Sequence, residues 1–94
     1  MKPEKLDIGG QAAEGYVIPL ETCNLVFMTQ GNSLLACGAV NAMALDTFNV
    51  PTATVSGVAT VEDLLDGEVK TVNKAAEALG VAPGQTGREA LAKL

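Results

Sequence analysis

The chain has 94 residues, of which 48% are hydrophobic, 3% aromatic and 18% charged. This length predicts one domain over residues 1–94, and the high aliphatic content excludes a disordered tail and a disulfide-dense scaffold. Eleven acidic and six basic residues give a net charge of −5, which disfavours nucleic acid as a partner.

Missing residue types exclude further classes of protein. The chain has no His, which rules out Ser-His-Asp and Cys-His catalysis from this chain alone, as well as His-ligated zinc. Two Cys are too few for a four-Cys metal site, so we expect neither a metal nor a cofactor. No run approaches the roughly 20 apolar residues that span a bilayer, and no secretory signal is visible. We therefore expect a cytoplasmic protein without a membrane partner.

Alternating or apolar runs predict four strands in the N-terminal part of the chain: 5–8, 14–20, 24–30 and 33–37. Gly9-Gly10 offers a tight turn after the first strand, and Gly31-Asn32 is typical of a two-residue hairpin turn. Pro19 favours an edge position or a bulge for the second strand, because proline cannot donate a hydrogen bond to a sheet.

The second predicted hairpin is apolar on both faces. With Gly31-Asn32 as its turn, Phe27 lies opposite Ala36, and each face of the two strands carries four apolar side chains. Because both faces are apolar, both must be covered. The helices can cover one face, and the other needs either the first hairpin or another subunit. Both ways of covering this face stay open at this point.

The second half of the chain is predicted to be mainly helical. Residues 39–48 have helical periodicity and residues 52–58 alternate, which suits a right-handed parallel crossover into a fifth strand. Three further helices are expected: one capped by Thr60, one with the apolar stripe Val69, Val72, Ala76 and Leu79, and one opened by the capping box Thr86–Glu89. The fold class is α+β: a small mixed β-sheet with N-terminal β-hairpins, helices packed on one face, and C-terminal helices.

Several short segments carry a family resemblance over nearly the whole chain. The most specific are the Cys37-Gly38 step and the run from Gly57 to Leu65, Gly-Val-Ala-Thr-Val-Glu-Asp-Leu-Leu. Their order resembles the YunC family, a domain of unknown function (DUF1805) from bacteria and archaea. The resemblance implies an α+β fold whose N-terminal β region, about residues 5–38 of this chain, brings subunits together as tetramers. It implies no established reaction and no catalytic residues.

Cys37 is the candidate catalytic residue. It ends a predicted strand and Gly38 leads into a predicted helix, where the helix dipole would stabilise a thiolate. The competing interpretation is a small buried side chain, because free Cys is among the most buried residue types. A disulfide with Cys23 is disfavoured, since the predicted register separates the two residues by roughly 10 Å and places them on opposite faces.

Gly38 and Asn41 are the candidate ligand-binding residues, at the start of the helix that follows Cys37. The alternative is that Gly38 merely allows close packing. The acidic run from Glu62 to Glu68 matches no metal-binding loop. Two hypotheses follow: a homo-oligomeric structural or small-ligand-binding module, and, as the alternative, a cysteine-dependent enzyme or thiol sensor using Cys37. Whether the chain is an enzyme stays open.

Overall fold

One mixed sheet of six strands organises the protein, and its strand order follows the chain from β1 to β6. The computed structural model describes residues 4–8 and 10–94. All neighbouring strands are antiparallel except β4 and β5, which run parallel. The strands are β1 (Glu4–Ile8), β2 (Gln11–Pro19), β3 (Asn24–Gln30), β4 (Ser33–Cys37), β5 (Thr52–Val55) and β6 (Val69–Val72).

The described residues also form four short helices: α1 (Ala42–Asp46), α2 (Val61–Asp66), α3 (Lys74–Glu77) and α4 (Gly87–Lys93). Each begins after a side chain that accepts hydrogen bonds from backbone N–H groups of the first turn, namely Asn41, Thr60, Asn73 and Thr86. The capping box predicted at Thr86 and Glu89 is confirmed. No helix in the described part of the chain is long and apolar enough to cross a membrane.

The predicted β3–β4 hairpin is confirmed, with Phe27 paired to Ala36 and a turn at Gly31, whose φ is +59°. The parallel crossover from β4 to β5 is confirmed as well. These strands carry alternating side chains, so the hairpin presents one apolar row to each side of the sheet. The fold class is therefore the predicted α+β class with a mixed sheet.

One side of the sheet is sealed by α2 and α4, and we call it the closed face. Its strand residues are buried together with the apolar sides of these helices, and they include Val26, Met28, Leu35, Cys37, Ala53 and Val55. Close approach between α2 and α4 depends on Gly87. A Cβ atom there would lie 1.9 Å from the Leu64 carbonyl oxygen, a separation that no side chain can adopt.

The opposite side of the sheet is covered only in part. Helix α1 packs against β5 and β6 there, and Thr52 and Thr54 are buried beneath it. Asn73 fastens this arrangement: its Nδ2 donates to the carbonyls of Ala42 and Val50, and its Oδ1 accepts from the Thr52 N–H. Since these groups are paired, Asn73 can be fully buried at no cost in unmet hydrogen bonds.

Beyond α1, the sheet of β2, β3 and β4 has no covering layer among the described residues. We call this area the open face. Its large apolar side chains are half-buried in the single chain, and they are Tyr16, Ile18, Phe27 and Leu34. Tyr16 and Phe27 stack with ring centroids 4.9 Å apart. The first hairpin does not cover this face, because β2 pairs beside β3 and extends the sheet instead.

One predicted element and one predicted strand position are wrong. Residues 69–72 form strand β6 and not the first turns of a helix; only Lys74–Glu77 are helical, and Leu79 is exposed. Strand β2 is not an edge strand, because it lies between β1 and β3. Pro19 is its last residue, where the missing N–H leaves the rest of the ladder intact.

Two other predicted elements are shorter than expected. Helix α1 begins after Asn41 rather than at residue 39, and β5 ends at Val55. Of the predicted Gly9-Gly10 turn, Gly9 lies outside the described residues, and Gly10 has a φ of +83°.

Candidate functional site

A cavity of about 240 Å³ opens between the start of α1 and strands β5 and β6. We call it the α1 pocket. It is lined by Gly38, Val40, Asn41, Ala42, Met43, Thr54, Ser56, Lys70 and Thr71. Both predicted ligand-binding residues, Gly38 and Asn41, are therefore in its wall. Their role in binding a ligand stays a prediction.

The segment from β4 to α1 forms one wall of the pocket. The Val40 N–H donates to the Cys37 carbonyl at 3.1 Å, which turns the chain away from the sheet. Asn41 then caps α1, and its Oδ1 accepts from the Met43 and Ala44 N–H groups at 3.0 and 3.3 Å. This capping role fixes the Asn41 side chain by its oxygen, which leaves the amide nitrogen as the group available to a ligand.

Gly38 faces Ser56 across the pocket. A Cβ atom at Gly38 would lie 3.5 Å from the Ser56 Oγ, an ordinary contact distance. Its φ lies outside the positive region that favours glycine. The local backbone therefore tolerates alanine here, and a methyl group would take up space next to the Ser56 hydroxyl.

A β-bulge in β6 forms the other wall. The pairs Thr54–Thr71 and Val55–Val69 are adjacent on β5 but two residues apart on β6, so Lys70 is an extra residue in that strand. In a regular strand Lys70 and Thr71 would point to opposite faces. The bulge instead lets both line the pocket, while Val69 and Val72 remain buried on the closed face.

The polar groups of this wall are hydroxyls and one ammonium group. The Thr54 and Thr71 hydroxyls hydrogen-bond to each other. Only one of the two protons can lie between them, so the accepting hydroxyl keeps its own proton to donate elsewhere. The Lys70 Nζ is 3.2 Å from the Glu68 Oε2, in an ion pair whose side chains are 53% and 60% exposed.

Cys37 is not in the α1 pocket. It is 5% exposed and belongs to the hydrophobic core of the closed face. The chain alternates at this point, so Ala36 faces the α1 side of the sheet and Cys37 faces away from it. Cys23 is exposed, and both thiols are free. The structure thus brings Gly38 and Asn41 together but separates them from the Cys37 sulfur, whose catalytic role stays a prediction.

Two further features lie outside the α1 pocket. Two carboxylates of the acidic run from Glu62 to Glu68 make contacts within the chain. The Asp63 carboxylate accepts from the Ala59 N–H, and Asp66 lies 3.5 Å from Arg88. Among the residues that the structure describes, no three His, Cys, Asp or Glu side chains are grouped as a metal site. A hollow of about 440 Å³ on the β1–β2 hairpin is lined by that hairpin alone, over residues 5–7 and 12–14.

The residues that sequence reasoning missed are Lys70, Thr71, Thr54 and Ser56. The alternation of residues 52–56 already placed Thr54 and Ser56 on one side of a strand. The bulge at Lys70 had no such signal, because Val69 and Val72 are spaced as they would be on one side of a helix.

Three comparisons place the chain among known proteins. The model of the family "Domain of unknown function (DUF1805)" matches residues 36–94. The chain is 31% identical to the uncharacterized protein YunC of Bacillus subtilis (strain 168) over 91 residues, which cover 93% of this chain and 90% of that protein.

The crystal structure of TA1206, a protein of unknown function from Thermoplasma acidophilum, is similar throughout. The TM-score is 0.91 at 25% sequence identity, and the match covers 99% of this chain and 91% of the other. The family match over more than half of the chain, and the 31% identity to a relative over most of its length, show that this chain belongs to the DUF1805 family.

Proposed function

We propose that the protein is a homo-oligomeric module whose subunits meet on the open face and which binds a small ligand in the α1 pocket. The observation that carries the proposal is the open face itself, an apolar sheet surface that one chain leaves half-buried. The family resemblance implies a tetramer, which is the size we expect. A cytoplasmic location belongs to the same proposal, since free thiols suit a reducing compartment.

A second copy of the chain is the favoured cover for the open face, because the first hairpin, the other cover considered, does not lie over it. The first hairpin extends the sheet, and α1 lies over β5 and β6. Sheets with two apolar faces are stable in water when both faces are covered. The only charged side chain on the β2 part of this face, Glu14, accepts a hydrogen bond from the Tyr16 hydroxyl at 2.6 Å.

Large exposed apolar side chains extend the same argument. Phe48 is 74% exposed, and Leu20 and Met43 are each 55% exposed. Met43 and Phe48 belong to α1 and the segment after it, on the side of the sheet that bears the open face. Apolar patches of this kind on a small protein mark interaction surfaces. An oligomer formed through this side would remove them from water.

Ligand binding enters the proposal because the α1 pocket lies beside this surface. Met43 lines the pocket and is also one of the exposed apolar side chains. A second subunit on the open face would therefore approach the pocket mouth. Pockets between packed elements, with an apolar wall and a few converging polar groups, are typical of small-molecule sites.

The experiment that tests the oligomer is light scattering on the full chain at micromolar concentration. We expect a mass of about four times the 9.6 kDa of one chain. Phe27→Glu should lower the mass, because it places a charge in the centre of the open face. Ala92→Glu, on the exposed side of α4, is the matched control and should not. A stable monomer, or equal masses for the two variants, would contradict the proposal.

The cysteine-dependent alternative has no contact in its favour beyond the position of Cys37 after β4. The burial of that side chain favours the packing interpretation. Alkylation of Cys37 tests the alternative directly.

A further inference from the structure

We infer that the α1 pocket binds a small monocarboxylate with a short aliphatic chain. The inference rests on the ligand-binding role proposed above and names the ligand class. It is carried by three features of the pocket: the hydrogen-bond donors of its β5–β6 wall, the single positive charge supplied by the bulge, and the apolar wall formed by α1 and the turn before it.

The first feature is the set of hydrogen-bond donors on the β5–β6 wall of the pocket. Lys70 contributes an ammonium group, and Ser56 and the Thr54–Thr71 pair contribute hydroxyl groups. Within the part of the chain that the structure describes, no carboxylate lines this pocket. The ammonium group can only donate and the hydroxyl groups can donate as well as accept, so a ligand with strong acceptors can bond to all of them. Hydrogen bonds from an ammonium to a carboxylate are among the stronger ones in proteins.

A purely structural role for β6 does not explain why this strand contains a bulge. A regular β6 would direct Lys70 away from Thr71, at the edge of the sheet. The extra residue instead lets Lys70 line the pocket together with Thr54 and Thr71. Bulges are over-represented next to functional sites because they re-aim side chains in this way.

The charge of the ligand follows from Glu68. This carboxylate lies 3.2 Å from Lys70 and disfavours a ligand that brings more than one negative charge to the pocket. A phosphate dianion would meet only one ammonium group, already shared with Glu68, in a chain of net charge −5. A monocarboxylate needs one positive partner, and the ion pair is exposed enough for a ligand to compete with Glu68.

The size and tail of the ligand follow from the other wall. Val40, Ala42 and Met43 form an apolar side to the cavity. Its volume of about 240 Å³ is below the roughly 300–1,000 Å³ of sites for drug-sized molecules. The pocket thus suits a carboxylate of a few carbons, with its head on the Lys70 side and its chain against Val40 and Met43.

The test is a ligand-observed NMR titration of the full chain with butyrate. Butyramide, which has the same tail without the charge, and inorganic phosphate are the comparison ligands. We expect saturable binding of butyrate. Butyramide should bind at least about tenfold more weakly, because a charge-assisted hydrogen bond contributes more than a neutral one. Phosphate should also bind at least about tenfold more weakly, because it has no apolar tail and brings more negative charge close to Glu68.

Two variants locate the binding. Lys70→Met should weaken butyrate binding about tenfold, whereas Lys74→Met, which removes an exposed ammonium on α3, should leave it unchanged. Gly38→Ala should weaken butyrate and butyramide alike by narrowing the pocket. Thermal unfolding of each variant confirms that it is folded.

The inference is overturned if butyrate does not bind, if butyramide or phosphate binds as well as butyrate, or if Lys70→Met and Lys74→Met have equal effects. Binding of butyramide alone would overturn the carboxylate class and leave the proposed ligand-binding role standing. An oligomer by light scattering with no binding of any of the three ligands would overturn this inference while the proposed assembly stands.

Discussion

Both faces of the sheet carry apolar side chains, but the chain buries those of the closed face more completely than those of the open face. On the closed face, Leu35 of the sheet, Leu64 of α2 and Leu91 of α4 are fully buried by other residues of the same chain. On the open face, side chains of comparable hydrophobicity such as Ile18 and Leu34 are only half-buried. A small domain can bury only part of its surface. In this chain α2 and α4 cover the closed face, whereas α1 covers only β5 and β6 on the other side.

Because of this difference, we expect substitutions on the closed face to affect stability and substitutions on the open face to affect association. Substitutions on the closed face should lower the free energy of unfolding, because they disturb contacts that one chain makes within itself. Substitutions on the open face should change the oligomeric mass more than the unfolding of a single chain. Three measurements test this division, in order of decreasing expected effect.

The largest expected effect is a difference in alkylation rate between the two thiols. Cys37 lies in the closed face and Cys23 is exposed. Iodoacetamide should reach Cys37 only when the core opens, which costs about 5 kcal/mol or more in a stable domain. At pH 7.5 we therefore expect Cys37 to be labelled at least about a thousandfold more slowly than Cys23, as measured by mass spectrometry of peptides.

Labelling in urea gives the control, since both thiols should then react at similar rates. If Cys37 in the folded protein is labelled as fast as Cys23, the closed face is not closed at that point. The cysteine-dependent alternative would then replace the packing interpretation.

The next effect compares the same substitution on the two sides of the sheet. Gly87→Ala would place a Cβ atom 1.9 Å from the Leu64 carbonyl oxygen, and neither backbone can move without separating α2 from α4. We expect a loss of about 3 kcal/mol or more, at the upper end for overpacked cores. Gly38→Ala, whose nearest contact is 3.5 Å, is the matched control.

Urea unfolding monitored by circular dichroism measures both variants. Gly38→Ala should change the free energy of unfolding by no more than about 0.5 kcal/mol, as surface substitutions usually do. Similar losses for the two variants would mean that the α2–α4 contact is looser than the structure indicates.

Much of the fold could be predicted from the sequence because its signals are local. The β3–β4 register followed from a two-residue turn, and the start of α4 followed from the spacing of Thr86 and Glu89. Gly38 and Asn41 were found for a similar reason, since the change from strand to helix is visible in the sequence. Such signals depend on neighbouring residues and not on distant contacts.

Strand β6 could not be predicted, and the reason lies in its bulge. The extra residue Lys70 sets Val69 and Val72 three positions apart on the buried side, which is the spacing of a helix. The same extra residue makes Lys70 part of the α1 pocket. The feature that misled the prediction of secondary structure is therefore the one that completes the candidate site.

Asn73 was missed for a different reason. Its hydrogen bonds reach Ala42, Val50 and Thr52, which lie more than 20 positions away along the chain. Only the folded chain brings these groups together, so a single polar residue before a helix carried no sign of its burial.

The smallest expected effect concerns the cap that begins α4, on the helical side of the closed face. The Glu89 Oε1 accepts from the Thr86 N–H at 2.9 Å. This backbone hydrogen bond, with a further contribution from the Thr86 side chain, holds the pKa of Glu89 below its ordinary value. The carboxylate therefore contributes stability above its unfolded pKa of about 4.3, and the contribution is lost as the pH falls through the lower folded pKa.

Glu89→Gln keeps an acceptor oxygen for the Thr86 N–H but cannot titrate, so it isolates the effect of the charge. The parent chain should have the higher melting temperature at pH 7, and the gap between the two should shrink towards pH 3. Thr86→Ala, which retains Glu89 and removes the hydroxyl that accepts from its N–H, should cost about 1 kcal/mol at pH 7. A difference in melting temperature between the parent and Glu89→Gln that stays constant with pH would contradict this expectation. The cap would then stabilise α4 by its geometry alone, without a contribution from the Glu89 charge.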